Sequence, residues 1–289
     1  MMEKEWGGPW TEKKLDAFEQ YVTTYLKIMN KQPQWQTIYF DGFAGSGKRK
    51  VKKQADPILF PISNEEQKVY RGAAERVIRM EPPYTFDFYY FVEESETRLK
   101  KLEDRLIDIP ESKEKKLVFR PMDCNEELIN LAGALQSGKY ASLVFLDPFG
   151  MQVNWEAIES LAGTRSDVWL LLPTAVIINR LLDRKAELKN LKRLESFFGL
   201  TEKEIREEFY VQTRQTSLLE DMDEHIKKVV DPIHKISSLY IKRLKTIWKY
   251  VSDPALRLNN RNGAPLFHFI FASNNKNALK IANYIITKR

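Results

Sequence analysis

Ile38-Tyr39-Phe40-Asp41-Gly42-Phe43-Ala44-Gly45-Ser46-Gly47-Lys48 is the stretch whose reading decides the fold. Its first part is apolar and aromatic, as a buried strand requires. Its second part is a glycine turn, in which Gly42, Gly45 and Gly47 admit positive φ and close approach of a ligand to the main chain. A strand that runs into such a turn is where open α/β sheets bind nucleotides, at the carboxyl ends of their strands.

Two chemistries compete for the turn. Asp41, Phe43, Gly45 and Gly47 fill an acid-x-Phe-x-Gly-x-Gly pattern that suits S-adenosyl-L-methionine, whose ammonium group pairs with a strand-end carboxylate. Gly42, Gly47 and Lys48 instead fit a phosphate-binding loop, G-x-x-x-x-G-K-[ST], but Arg49 stands where the magnesium-binding Ser or Thr belongs. A phosphate loop also opens directly into a helix. Here Arg49-Lys50-Val51-Lys52-Lys53 intervenes before Asp56-Pro57 can start one, and Asp41 would repel a triphosphate. A plain glycine turn is the third reading.

The chain on either side repeats the strand-then-acid theme. Phe86 to Val92 is a second strand ending at Glu93, placed for a ribose diol or as the acid of a helix N-terminus. Leu117 to Phe119 is a third, ending at Asp123-Cys124. Asp123 suits an adenine amino group or an N-cap boxed with Glu126, and Cys124 suits a small wall residue. Ala141 to Leu146 is a fourth, apolar throughout and delivering Asp147-Pro148-Phe149-Gly150. Asp147 can orient a target amino group, Pro148 fixes the turn, and Phe149 can stack on a planar substrate. In the phosphate-loop reading Asp147 would bind magnesium. Asp167 to Leu172 is a fifth strand, stopped by Pro173, with an apolar helix over 175–182.

The flanks complete the plan. Residues 1–9 read as a loose arm. Thr11 caps a helix whose buried stripe is Leu15, Phe18, Val22, Tyr25, Leu26 and Met29. From Asp183 to about Val230 the chain is charged and reads as helices divided at Gly199, an inserted cap. Ile233 to Tyr250 reads as another helix, with Lys242, Arg243, Lys245 and Lys249 interleaved with Tyr240, Trp248 and Tyr250 as an anion-facing surface. Two strands meeting at Asn262-Gly263 form a hairpin, followed by a helix over 276–287. The expected organisation is α/β: residues 1–182 and 251–289 form a core and 183–250 a helical cap. Its sheet is the mostly parallel, Rossmann-like sheet of class I methyltransferases, with one antiparallel strand.

Composition narrows the partners. The chain has 289 residues, 43% hydrophobic, with net charge +6. That charge admits nucleic acid as a partner, with Lys48, Arg49, Lys50, Lys52 and Lys53 as a phosphate-contacting rim. One cysteine excludes an internal disulfide and points to a reducing, cytoplasmic setting. The three histidines have no metal-ligand spacing. The charged start lacks a signal peptide, and no apolar run reaches the roughly 18 residues of a membrane span.

Tyr39 to Gly47, Phe91-Val92-Glu93 and Phe145 to Gly150, with Trp10 and the Lys14-Leu15 helix, resemble the three-Cys-motif partner proteins over nearly the whole chain. That family looks like class I S-adenosylmethionine methyltransferases that accompany a separate protein bearing three cysteines. The resemblance implies cofactor contacts at Asp41, Gly42, Phe43, Ala44, Gly45, Gly47, Glu93, Asp123 and Cys124. It implies a catalytic, substrate-side role for Asp147, Pro148 and Phe149. Asp-Pro-Phe-Gly departs from the Asp-Pro-Pro-Tyr of amino-group methyltransferases.

Overall fold

A computed structural model describes residues 9–45, 72–183, 186–188, 190–214, 224–260 and 262–289. It is a mixed α/β protein around one eight-stranded sheet. In chain order the first elements are α1 (Pro9–Met29), β1 (Gln36–Asp41), α2 (described over 72–78), β2 (Phe88–Val92) and α3 (Glu96–Ile107). Then come β3 (Leu117–Arg120), α4 (Cys124–Leu135), β4 (Tyr140–Leu146), α5 (Trp155–Glu159) and β5 (Ser166–Leu172). A wide π-type turn over Thr174–Ile178 leads into a short α6 (Asn179–Leu181), where the sequence suggested one helix.

The sheet runs β3-β2-β1-β4-β5, all parallel. Beyond β5 lies the antiparallel β10 (Pro265–Ser273), whose outer edge pairs with β8 (Tyr250–Val251) and β9 (Leu256–Asn259). The expected hairpin is β9–β10, closed by a turn in which Gly263 takes φ 78° and Asn260 Oδ1 accepts from the Asn262 and Ala264 amides. The helix α10 (Lys276–Thr287) follows.

Strand alternation divides the core into two layers. Tyr39, Phe91, Phe145 and Phe269 point to one face, where α1, α2, α3 and α10 cover them. Ile38, Phe40, Val144 and Ile270 point to the other, under α4, α5, α7 (Leu191–Phe198), α8 (Glu202–Phe209) and α9 (Pro232–Leu244). Leu194, Phe197, Phe198 and Phe209 belong to that second layer, with Phe197 and Phe198 packed on Tyr240 of α9. Each such fully buried side chain contributes about 1.5–3 kcal/mol.

α1 lies antiparallel to the parallel strands and is pinned at two heights. Lys14 meets Asp147 at the carboxyl edge, and the Tyr21 hydroxyl donates to Asp167 Oδ2 at 2.7 Å near the amino end of β5. Ser273 Oγ donates to the other Asp167 oxygen at 2.5 Å. Burial raises the Asp167 carboxyl above its ordinary range, and these two donors oppose that rise. Tyr21→Phe is therefore expected to lower stability by about 1–3 kcal/mol, the cost of a lost partner to a buried carboxylate, checked by urea unfolding.

Several expectations need correction. Pro9 is the first residue of α1, where its missing N–H costs nothing, so Thr11 lies inside the helix instead of capping it. The charged segment is not wholly helical. α7 and α8 flank Gly199 (φ 61°) as expected, but β6 (Tyr210–Arg214) and β7 (Glu224–Lys228) form a separate antiparallel pair. Tyr210-Val211 and Thr213 carry β propensity that the surrounding charge obscured. The Tyr210 hydroxyl donates to Asp183 O, and Lys228 Nζ to Asn179 O, which ties this pair to α6 and the chain just after it. α9 ends at Leu244, and Tyr250 belongs to β8. Tyr240 and Trp248 are core residues, so they do not build an exposed aromatic surface. Among the described residues, no helix is long and apolar enough to cross a membrane.

Candidate functional site at the sheet switch point

β1 and β4 are neighbours, but the chain leaves β1 toward β2 and β3 and leaves β4 toward β5. The strand order reverses between them, and such a switch point opens a crevice at the carboxyl ends. Asp41 is the last residue of β1 and Asp147 directly follows β4. Tyr39 and Asp41 share a face with Phe145 and Asp147, because Asp41 registers with Phe145. The two acids are 1% and 4% exposed.

The main chain then bends across this edge. Gly42 N–H donates to Phe145 O of β4 at 3.0 Å, and Ala44 N–H to Val92 O of β2 at 2.8 Å. Gly45 takes φ 56°. Gly42 is required by space, since a Cβ there would sit 2.6 Å from Cys124 Sγ and 2.7 Å from Leu146 Cδ2. Cys124 is thus the wall under the turn. Its burial, beside Asp123 and Asp41, raises the thiol well above its ordinary range and keeps it protonated. Phe43 is half-buried against the second core layer.

Among the described residues, Asp41 has few donors. Phe43 N–H reaches Oδ1 and the Tyr39 hydroxyl reaches Oδ2, both at 3.3 Å. Burial, with a smaller contribution from Asp147, pushes its carboxyl up to about 7, against the opposing pull of these donors and of Lys14. Asp147 by contrast receives Lys14 Nζ at 2.5 Å, and Lys14 is itself only 3% exposed. Above Lys14 lies Trp10, 5.8 Å from ammonium to ring centroid, stacked on Phe267 at 4.8 Å. Among the described residues the edge therefore buries two carboxylates, of which Asp147 alone is paired with a cation.

The other expected acids lie on the next strand ends, each engaged by its own helix. Glu93 Oε1 accepts from Ser95 N–H at 3.0 Å and pairs with Arg98 at 2.6 Å. Asp123 caps α4 through Asn125 N–H at 2.8 Å, where a box with Glu126 was expected. A carboxylate has about four lone-pair sites, so these bonds leave acceptor capacity on each. Pro148 is buried, and Phe149 is half-buried with its N–H on Gln152 Oε1. Gly47 and the basic residues Lys48, Arg49, Lys50, Lys52 and Lys53 lie outside the described residues.

Two features went unread in the sequence. Lys14 was one, although its spacing sets it on the buried stripe between Trp10 and Phe18. The other is His268 at the start of β10, whose Nδ1 lies 2.9 Å from Thr174 Oγ1 beyond β5. Burial lowers that imidazole to about 4, so it is neutral at physiological pH. Only the pairing of β10 with β5 brings the two together.

No family model and no curated protein matches this chain. Among solved structures, protein LPL1258 from Legionella pneumophila str. Philadelphia 1 (family-model DUF519) is similar at 14% identity and TM-score 0.37. The match covers 90% of this chain and 97% of that one. So distant a likeness carries no functional information.

Proposed function

We propose that this protein is an S-adenosylmethionine-dependent methyltransferase on a Rossmann-like class I sheet, with nucleic acid as first candidate acceptor and a partner protein as second. The observation that carries this reading is the pair of buried acids at the switch point, one facing a glycine turn. The donor set fits the cofactor's charge. Among the described residues Asp147 has the buried ammonium of Lys14 as partner and Asp41 has none, so Asp41 favours a further cation and would repel a triphosphate. Asp41 and the turn from Gly42 to Gly45 would hold the methionine end, Glu93 the ribose and Asp123 the adenine. The bound cofactor supplies an activated methyl group on sulfur. The protein's part is then to align the acceptor and exclude water. Asp147 orients the acceptor atom, and Phe149 offers a planar contact beside it.

A second reading is favoured by one contact. Lys14 occupies the Asp147 carboxylate that an acceptor amine would use, as in a non-catalytic binding module on the same scaffold. Labelled methyl transfer to total cellular RNA, DNA and protein separates the two. The enzyme reading expects label in one fraction and its loss in Asp147→Ala. S-Adenosylhomocysteine binding without transfer to any fraction would favour the module, and binding of magnesium-ATP alone would overturn both.

A further inference from the structure

We infer that Lys14 of α1 is a positioning residue of the switch-point site: by engaging Asp147 it leaves Asp41 as the carboxylate that takes a cationic ligand group. This rests on the proposed cofactor reading for the ligand's identity, but not for the electrostatics. The geometry is specific. Lys14 Nζ touches Asp147 Oδ2, and Asp147 and Asp41 follow adjacent strands on one face. Four described groups face or surround Asp41: Tyr39 on its own strand, Asp147 beyond β4, Lys14 on α1 and Cys124 on α4. Of these only Lys14 is cationic. One helix turn before Lys14, Thr11 Oγ1 is buried with no hydrogen-bond partner among the described residues.

The charge count gives the consequence. Lys14 balances one carboxylate, and the remaining one binds either a proton or an incoming cation. Loading of a cationic ligand near neutral pH then expels a proton from Asp41. Removing the Lys14 charge leaves two buried acids unbalanced, which makes Asp41 hold its proton more tightly. Removing the Asp147 charge, with Lys14 kept, makes Asp41 release it more readily.

Carboxyl 13C NMR of aspartate-labelled protein tests this directly. The Asp41 signal is the one missing from Asp41→Asn. Its titration midpoint is expected to rise by about one pH unit or more in Lys14→Met, fall in Asp147→Asn, and stay near the wild-type value in Lys14→Arg. The two opposed variants keep the test decisive if Lys14→Met does not fold. A purely structural Lys14 would lower thermal stability and leave the midpoint in place; an unmoved midpoint in the folded variants overturns the inference. Calorimetry with S-adenosylhomocysteine runs alongside. Proton release on binding at pH 7, read from the buffer dependence of the heat, is expected to rise from about half a proton in wild type to about nine-tenths in Lys14→Met, following the one-unit shift. If wild type binds none of it while the midpoints move as stated, the cofactor reading fails and the role of Lys14 stands.

Discussion

At pH 8, Asp41→Asn is expected to unfold at a higher temperature than wild type while losing affinity for the cofactor. The folded-state carboxyl of Asp41 is raised to about 7 from an ordinary 3.8. Between those values the folded protein binds a proton that the unfolded chain does not. The stability from this group is therefore fully present below about pH 4 and is lost as pH rises through 7. A fully buried group shifted this far costs on the order of 2–4 kcal/mol once ionised. Asparagine has nearly the same shape and no charge to bury. The variant should gain roughly that amount at pH 8, several degrees in Tm for a chain of this size, and less than half of it at pH 5, where the loss has only begun. Thermal unfolding across pH 5–9 reads the difference. A gain that is constant with pH would mean Asp41 is ionised throughout. Stability given up at a charged residue with few donors is what a site held ready for a ligand displays.

Gly42→Ala is expected to do the opposite. The added methyl would lie 2.6 Å from Cys124 Sγ and 2.7 Å from Leu146 Cδ2, both inside the second core layer. Overpacking of this kind costs about 1–3 kcal/mol. Relief by moving the turn outward would lengthen the Gly42–Phe145 and Ala44–Val92 hydrogen bonds that stretch it over the sheet edge. Cofactor affinity should fall with stability. Adding Cys124→Ala removes the sulfur and should restore part of both, because the remaining close atom is the end of a leucine that can change rotamer. Urea unfolding and calorimetry on the single and double variants measure this. An unchanged Gly42→Ala protein would show that the turn is not held where the structure puts it.

How much of this was legible in the sequence depended on how local the signal was. β1, β2, β4 and β5 are apolar or aromatic runs ending at an acid or a proline, so their place and their strand-end acids could be read directly. The hairpin was readable from Asn262-Gly263 alone. β6 and β7 were hidden because Glu224, Lys227 and Lys228 give the segment the composition of a solvated helix, while its pairing partner is ten residues away in the chain. β8 was absorbed into the preceding helix because two residues carry no period. The site was half legible. Asp41 and Asp147 follow from strand ends. That they are adjacent follows from the reversal of strand order, which no local pattern encodes. Lys14 lies more than a hundred residues from its partner, and a lysine in a helix is usually on the solvated side. Its burial was visible only in phase with Trp10 and Phe18.

Calorimetric titration of wild type and Asp41→Asn with S-adenosylhomocysteine at pH 8 bears most directly on the central claim, that a buried acid at the switch point receives a cationic nucleoside. Saturable one-to-one binding by wild type, lost in a variant that is folded and more stable, is the predicted result. Equal binding by both proteins, or heat from magnesium-ATP in place of the nucleoside, would contradict it.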